Sequence, residues 1–231
     1  EKASRALIRD FGEIEKLQVS IKGPTDFVSN ADLKAEKIII EELKKARPYY
    51  SIVSEEDGSE TNKDKNNTWI IDPIDGTTNF LHGVPHFAIS IALKSGDEIV
   101  SGLIYDPIKD EMFYAEKENG AFFNNKRIRV SKKKELNSCL FATGGITKNE
   151  IDLTIRKSGS AALDMAYVAA GRYDGYFQNN LNLWDIAAGI IILKEAGGTM
   201  NEIDLLQNKN IQIIASSTAI SEKMQEKLKK F

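Results

Sequence analysis

Two carboxylates stand at the end of a short apolar run near the middle of the chain. Residues 69–71 predict a buried β-strand, and Asp72 and Asp75 then follow, three positions apart. Pro73 lies between them, fixes its own φ and has no N–H group to donate. Two carboxylates held this close repel each other unless a cation lies between them. The stretch therefore predicts a site where Asp72, Asp75 and the carbonyl of Ile74 bind a cation.

The residues after this pair are typical of a site that binds an anion. Carboxylate and carbonyl oxygens are hard ligands, which suit Mg²⁺ or Mn²⁺ better than a soft metal. Gly76 allows the backbone to approach a ligand, and Thr77 favours the N-cap of a helix, whose N-terminus attracts phosphate. The alternative interpretation is an ordinary capped turn, since Asp-Pro and Asp-Gly are common turn dipeptides. That alternative leaves the repulsion between Asp72 and Asp75 unexplained.

Two further acidic residues become candidate metal ligands when they are considered together with this stretch. Glu55 follows a short apolar run, and Asp185 stands at the start of a helical pattern. Taken alone, Glu55 with its glutamate neighbour is typical of a solvated turn, and Asp185 is typical of a helix cap. We interpret them as additional metal ligands only because Asp72 and Asp75 are present.

The rest of the chain alternates between helical and strand patterns. Apolar residues at helical spacing predict helices at the start of the chain and over about 31–46, 163–170, 186–193 and 220–231. Strand-like runs at 87–93 and 99–105 predict a hairpin, residues 173–177 predict a strand, and the polar segment 57–67 predicts a surface loop. Helices therefore bracket blocks of strands. This order predicts an α+β fold of layered helices and sheets, with mixed and antiparallel strands.

Composition restricts the setting in which the protein works. The chain has 231 residues, and its 42% hydrophobic and 28% charged residues are typical of a globular protein. Its net charge of −3 and scattered cations leave no basic stripe for nucleic acid. Cys139 has no second cysteine to pair with, which indicates a reducing compartment. We expect a cytoplasmic protein with no membrane partner, which meets nucleic acid only through a protein complex.

In these residues the chain resembles the inositol monophosphatase family. Residues 72–80 are similar to the main metal signature of that family, residues 184–189 to its second signature and residues 26–32 to an early motif. The resemblance covers essentially the whole chain in the same order. It implies an α/β/α/β/α sandwich of the sugar-phosphatase type, built as one unit over 1–231. Within that unit we expect a metal-site half over about 1–145 and a substrate-pocket half over about 146–231.

The resemblance also implies a role for each motif residue, with two or three Mg²⁺ ions bound per site. One metal would be bound by Glu55, Asp72 and the Ile74 carbonyl, and a second by Asp72, Asp75 and Asp185. Thr77 and Glu55 would position the attacking water, and Asp32 would orient Thr77. The phosphate would be bound by Gly76, Thr77 and Lys22. The alcohol part of the substrate would contact Gly159, Ser160, Ala161 and Gln178.

The same resemblance implies a Li⁺-sensitive phosphoric monoester hydrolase that forms a homodimer. Gln178 departs from the family, which generally has a glutamate that binds inositol at this position. Glutamine is uncharged and can both donate and accept hydrogen bonds. The resemblance implies inositol monophosphate as the substrate, and the departure at Gln178 leaves a nucleotide 3′-phosphate, a sugar bisphosphate or histidinol phosphate as alternatives. A non-catalytic partner of a transcription complex on the same scaffold is the alternative from another class.

Overall fold

The computed structural model describes residues 1–14, 19–23, 26–145 and 152–228, and only the backbone at 19–23 and 26–28. In this part of the chain the helices are α1 (Lys2–Phe11), α2 (Asn30–Ala46), α3 (Thr77–Leu81), α4 (Ala161–Ala169), α5 (Leu183–Glu195) and α6 (Ser221–Leu228). The strands before α4 are β1 (Val19–Gly23), β2 (Asp26–Ser29), β3 (Tyr50–Ser54), β4 (Gly58–Glu60), β5 (Asp64–Asp75), β6 (Ala88–Ser95), β7 (Glu98–Asp106), β8 (Glu111–Glu116), β9 (Gly120–Phe123), β10 (Lys126–Arg127), β11 (Leu140–Ala142) and β12 (Thr154–Arg156). The later strands are β13 (Gly175–Leu181), β14 (Gly198–Met200) and β15 (Ile211–Ser217).

The strands form two large sheets and one small hairpin. The first sheet has eight strands in the order β10-β9-β8-β7-β6-β5-β3-β4, and only β3 and β5 run parallel in it. The second has five strands in the order β12-β11-β13-β15-β14, and β11 runs parallel to both of its neighbours. Strands β1 and β2 pair only with each other among the described strands.

Three clusters of buried apolar side chains separate the layers. Helices α1 and α2 cover one face of the eight-stranded sheet through residues such as Leu7 and Ile39. Helices α4 and α5 fill the space between the two sheets, and α5 is apolar on both sides, as a helix buried in two directions must be. Helix α6 covers the outer face of the five-stranded sheet, where Met224 packs against Phe177. This confirms the predicted α/β/α/β/α sandwich of mixed and antiparallel sheets.

The structure confirms the predicted hairpin and corrects three local predictions. Strands β6 and β7 pair antiparallel from Ser95↔Glu98 onward. The predicted loop over 57–67 is wrong, since it contains β4 and the start of β5. Strand β4 lies at the sheet edge with its three residues exposed, so it shows no apolar alternation. Thr77 is the first residue of α3 rather than its N-cap, and the strand predicted at 173–177 begins at Gly175.

The described helices include none that is both long enough and apolar enough to cross a membrane.

Candidate active site

The parallel pairing of β3 and β5 places two acidic residues side by side. Ser54 pairs with Ile71, and the N–H of Glu55 donates to the carbonyl of Ile71 at 3.2 Å. Both strands end at the same edge of the sheet, so Glu55 lies next to Asp72. The turn after β5 is held by the N–H of Ile74, which donates to Oδ1 of Asp72 at 3.0 Å. The side chain of Asp72 is only 2% exposed.

Burial and like charge both act on this carboxylate. Burial raises the pKa of Asp72 well above its usual range, and the nearby charges of Glu55, Asp75 and Asp185 raise it further. A hydrogen bond joins the side chains of Asp72 and Glu55. Burial also raises the pKa of Asp75, to about 6, although hydrogen bonds to that carboxylate oppose the shift. The raised pKa values show that ionising these carboxylates together is costly, and a divalent cation would remove that cost.

Asp75 links the first sheet to the helix layer between the sheets. Its carboxylate accepts hydrogen bonds from the hydroxyl of Ser160 and from the N–H groups of Ala161 (3.2 Å) and Ala162 (2.8 Å). Ser160 is also the N-cap of α4, because its Oγ accepts from the N–H of Leu163 at 3.3 Å. Two of the residues predicted to line the alcohol side, Ser160 and Ala161, therefore bind a predicted metal ligand directly.

Asp32 and Thr77 meet as predicted, and a helix cap fixes the position of Asp32. Oδ2 of Asp32 accepts from the N–H of Ser29 at 2.9 Å and from its hydroxyl at 2.6 Å, which closes a capping box at the start of α2. Oδ1 lies 3.3 Å from Oγ1 of Thr77. The Thr77 hydroxyl also lies 3.0 Å from the carbonyl oxygen of Ile74, so its single proton has two acceptors within reach.

The fourth acidic residue reaches the site from α5. Oδ2 of Asp185 accepts from the N–H of Asn182 at 2.7 Å, which places the carboxylate in the first turn of the helix. The expectation that Asp185 stands near a helix start is confirmed. A cavity of about 410 Å³ brings together the predicted residues other than Asp32 and Lys22. It is lined by Glu55, Asp72, Ile74, Asp75, Gly76, Thr77, Thr78, Gly144, Gly159, Ser160, Ala161, Gln178, Leu181, Asn182 and Asp185.

The orientation of the Gln178 amide follows from its donors. Its Oε1 accepts from the N–H of Gly144 at 2.8 Å and from the hydroxyl of Tyr176 at 2.7 Å. A backbone N–H can only donate, so the atom that faces Gly144 must be the oxygen. The NH₂ group of Gln178 is left without a protein acceptor among the described residues. The alcohol side of the cavity therefore presents a hydrogen-bond donor at this position.

Glu36 supports the site from α2 without lining the cavity. Glu36 is buried on α2 and accepts from the N–H groups of Glu56 (3.1 Å) and Asp57 (2.7 Å), so it holds the turn that carries Glu55. The sequence signal for Glu36 is its place four residues after Asp32, on the same buried face as Ile39. The side chain of Lys22 lies outside the described residues.

The donor set fits a hard divalent cation by its chemistry. Four carboxylates and the Ile74 carbonyl line one cavity, and no histidine or cysteine is part of that lining. No group of three or more Asp, Glu, His or Cys side chains in the described part of the chain already has the arrangement of a metal site. The oxygens of Asp75 are instead held by Ser160 and the N-terminal N–H groups of α4.

Comparison with known proteins agrees with this geometry. A profile of the inositol monophosphatase family matches residues 1–230. The chain belongs to the inositol monophosphatase family. A Rhizobium meliloti protein named inositol-1-monophosphatase is 49% identical, over 85% of this chain and 80% of that protein. The family assignment confirms the expectation that the protein is a phosphoric monoester hydrolase.

Other relatives carry a different name. A Pasteurella multocida protein named Nus factor SuhB is 41% identical, over 85% of this chain and 79% of that protein. The crystal structure of the extragenic suppressor protein suhB from Bartonella henselae superposes with a TM-score of 0.91 at 48% identity, over 99% of this chain and 95% of that chain. Family members with both kinds of name thus share this fold.

Proposed function

We propose that the protein hydrolyses a small phosphate monoester in a Mg²⁺-dependent reaction, with inositol monophosphate as the first substrate to test. One observation carries the proposal. Four carboxylates from β5, α5 and the end of β3 line the same cavity as Thr77, whose hydroxyl lies between Asp32 and the Ile74 carbonyl. Asp75 and Asp185 also serve helix N-termini, but Asp72 and Glu55 cap no helix in the described part of the chain, and all four carboxylates meet in one cavity.

Two metal positions account for the carboxylates. Glu55, Asp72 and the Ile74 carbonyl would bind one ion, and Asp72, Asp75 and Asp185 would bind a second, with a third ion possible in the same cavity. When bound, Mg²⁺ lowers the pKa of a coordinated water and neutralises the charge of the phosphate and the leaving oxygen. The family resemblance implies that Li⁺ inhibits by occupying one of these positions.

Thr77 and Glu55 would orient and deprotonate the attacking water. Asp32 and the Ile74 carbonyl both accept, so the proton of the Thr77 hydroxyl is directed toward them and its lone pairs are left for a water molecule. Glu55, across the cavity, would accept the second proton of that water. The oriented water would attack phosphorus directly as Glu55 takes up its proton, while the P–O bond to the alcohol breaks and the leaving oxygen takes a proton from solvent. A covalent phosphoenzyme is not needed, since no serine, cysteine or histidine in the sequence stands in a recognisable nucleophile motif.

The substrate would contact two turns that line the cavity next to each other. The N–H groups of Gly76 and Thr77 stand in the first turn of α3, outside the hydrogen bonds of the helix, and suit phosphate oxygens. Lys22 would add a positive charge on the phosphate side. Ser160 with its neighbours, and Gln178, would contact the alcohol part.

The test is a panel of phosphate monoesters with Mg²⁺. Inorganic phosphate release is measured for inositol monophosphate, a nucleotide 3′-phosphate, a sugar bisphosphate and histidinol phosphate. The proposal expects hydrolysis of at least one of them and total loss in Asp72→Asn. Absence of phosphate release from every substrate would overturn it.

A second candidate is a non-catalytic role in a transcription complex, favoured by the relatives named Nus factor SuhB. A pull-down with transcription proteins, repeated with Asp72→Asn, separates the two, because a binding role should survive the loss of this carboxylate. A homodimer remains a proposal that rests on the family alone. A light-scattering mass equal to one chain would contradict it.

A further inference from the structure

Two adjacent turns form two walls of the cavity, and their neighbours hold them together. The phosphate-side turn is residues 76–78, and the alcohol-side turn is residues 159–161. Both turns line the cavity, whereas Asn79, Ser158 and Asp164 lie outside its lining. These three side chains connect the two walls through hydrogen bonds that the mechanism above does not use.

Asn79 makes the connection from the phosphate side. It stands on α3, directly after the phosphate-side turn, and its Nδ2 donates to the carbonyl of Ser158 at 2.9 Å and to the carbonyl of His86 at 2.7 Å. An amide nitrogen has two hydrogens, so both are used on backbone carbonyls. Asn79 therefore ties α3 to Ser158, the residue just before the alcohol-side turn.

Asp164 makes the connection from the opposite side. It lies on α4 with 1% of its surface exposed, and its Oδ1 accepts from the hydroxyl of Ser158 at 2.7 Å. The same hydroxyl oxygen accepts from the N–H of Ser160 at 3.3 Å. Ser158 is thus held through its carbonyl by α3 and through its side chain by α4.

The two turns also touch without spare room. A Cβ built on Gly159, whose φ is +86°, would lie 2.9 Å from Nδ2 of Asn79. A Cβ built on Gly76, whose φ is +101°, would lie 3.1 Å from the carbonyl oxygen of Gly159. Both distances are shorter than ordinary van der Waals contact, so a side chain at either position would displace its neighbour, and the positive φ would add backbone strain. A change in the hydrogen bonds of Ser158 would move one wall relative to the other.

We propose that Asn79, Ser158 and Asp164 are positioning residues that set the distance between the phosphate-side and alcohol-side turns. They would thereby decide how the alcohol part of a phosphate monoester lies relative to its phosphorus. This inference rests on the proposed function, because it needs a substrate that contacts both walls. It predicts that loss of these contacts lowers kcat/KM most for substrates that make many contacts with the alcohol side.

The experiment compares two substrates in the same variants. The first is the best polyol phosphate of the panel, and the second is p-nitrophenyl phosphate, whose aryl group offers no hydroxyls to the alcohol side. Asn79→Ala and Ser158→Ala should lower kcat/KM for the polyol phosphate by about tenfold or more, since an error of about 1 Å in placement can cost about a hundredfold. The loss for p-nitrophenyl phosphate should stay below about threefold. Ser158→Thr keeps a hydroxyl and should recover most of the polyol activity.

Asn201→Ala is the matched control. Asn201 also donates through Nδ2 to two backbone carbonyls, of Glu202 (3.2 Å) and Gln212 (3.0 Å), but it lies outside the cavity lining. It should leave the ratio of the two kcat/KM values unchanged. If Asn79→Ala fails to fold, the test rests on Ser158→Ala. Ser158 is half-buried and the substitution removes only one hydroxyl.

An unchanged substrate ratio in Ser158→Ala, with wild-type activity on both substrates, would overturn the positioning role and leave the proposed function intact. An equal loss on both substrates would overturn it as well, since a merely structural defect behaves that way. A wild-type protein that hydrolyses neither substrate would overturn the proposed function and this inference with it.

Discussion

The Thr77 hydroxyl lies 3.3 Å from the carboxylate of Asp32, a residue 45 positions earlier in the chain. The contact is possible because the capping box of α2 holds the other oxygen of Asp32, so that Oδ1 is left to face α3. Thr77 in turn follows Gly76, whose left-handed φ of +101° turns the chain from β5 into the helix. Two local devices, a cap and a glycine turn, thus bring together the groups that we propose to orient water.

Thr77→Val should lower kcat by about 10² to 10³-fold, because the side chain keeps its shape but loses the hydroxyl that orients water. Thr77→Ser keeps the hydroxyl and should retain most of the activity. The measurement is steady-state phosphate release with saturating Mg²⁺. Thr68→Val is the control, since Thr68 lies on β5 outside the cavity lining. Equal activity in Thr77→Val and wild type would remove Thr77 from the mechanism.

Asp72→Asn and Asp75→Asn should both abolish activity but should shift metal-free stability in opposite directions. Asn at 72 keeps an acceptor for Ile74 and removes a buried charge beside Glu55, so the free energy of unfolding should rise. Asn at 75 loses an acceptor for the N–H groups at the start of α4, so the free energy of unfolding should fall. Shifts of about 2 to 4 °C in Tm per kcal/mol are expected for this size. Thermal unfolding with a chelator present measures both, and a lower Tm for Asp72→Asn would contradict the charge argument.

Gln178→Glu should shift substrate preference toward inositol monophosphate. Gly144 and Tyr176 would still donate to one oxygen, and the group that faces the cavity would change from a donor to a charged acceptor for neighbouring hydroxyls. We expect kcat/KM for inositol monophosphate, relative to a bisphosphorylated substrate, to rise about tenfold, which corresponds to about 1.4 kcal/mol. A competition assay of both substrates gives the ratio directly. An unchanged ratio would show that position 178 does not contact the alcohol.

Asp164→Asn should flatten the dependence of stability on pH. Burial raises the pKa of Asp164 from 3.8 to about 8, so the folded state keeps a proton that the unfolded chain releases. The stability from this group is complete below about pH 4 and is lost as pH rises toward 8. Asparagine cannot ionise, so the loss between pH 5 and 8 should be smaller in the variant. Urea unfolding at both pH values tests this, with the exposed Asp204→Asn as control. An identical loss in wild type and Asp164→Asn would contradict the assigned pKa.

The parts of the site that follow from local chain order were predictable from the sequence. An apolar strand that ends in Asp72 and Asp75, and Asp185 at the start of an apolar helix, can be located by pattern alone. The contact between Asn79 and Ser158 joins residues 79 positions apart, and no periodicity signals it. Strand β4 was missed because its pairing at the sheet edge is made by backbone groups, and its side chains give no apolar alternation.

Magnesium add-back to metal-stripped protein tests the central claim most directly. Phosphate release from inositol monophosphate, or from the best substrate of the panel, is measured before and after Mg²⁺ is restored, in wild type and in Glu55→Gln. The account predicts no measurable release without metal, recovery on addition of Mg²⁺, and no recovery in Glu55→Gln, because Glu55 would hold both a metal and the attacking water. Undiminished release from the metal-stripped wild type, or full recovery in Glu55→Gln, would contradict it.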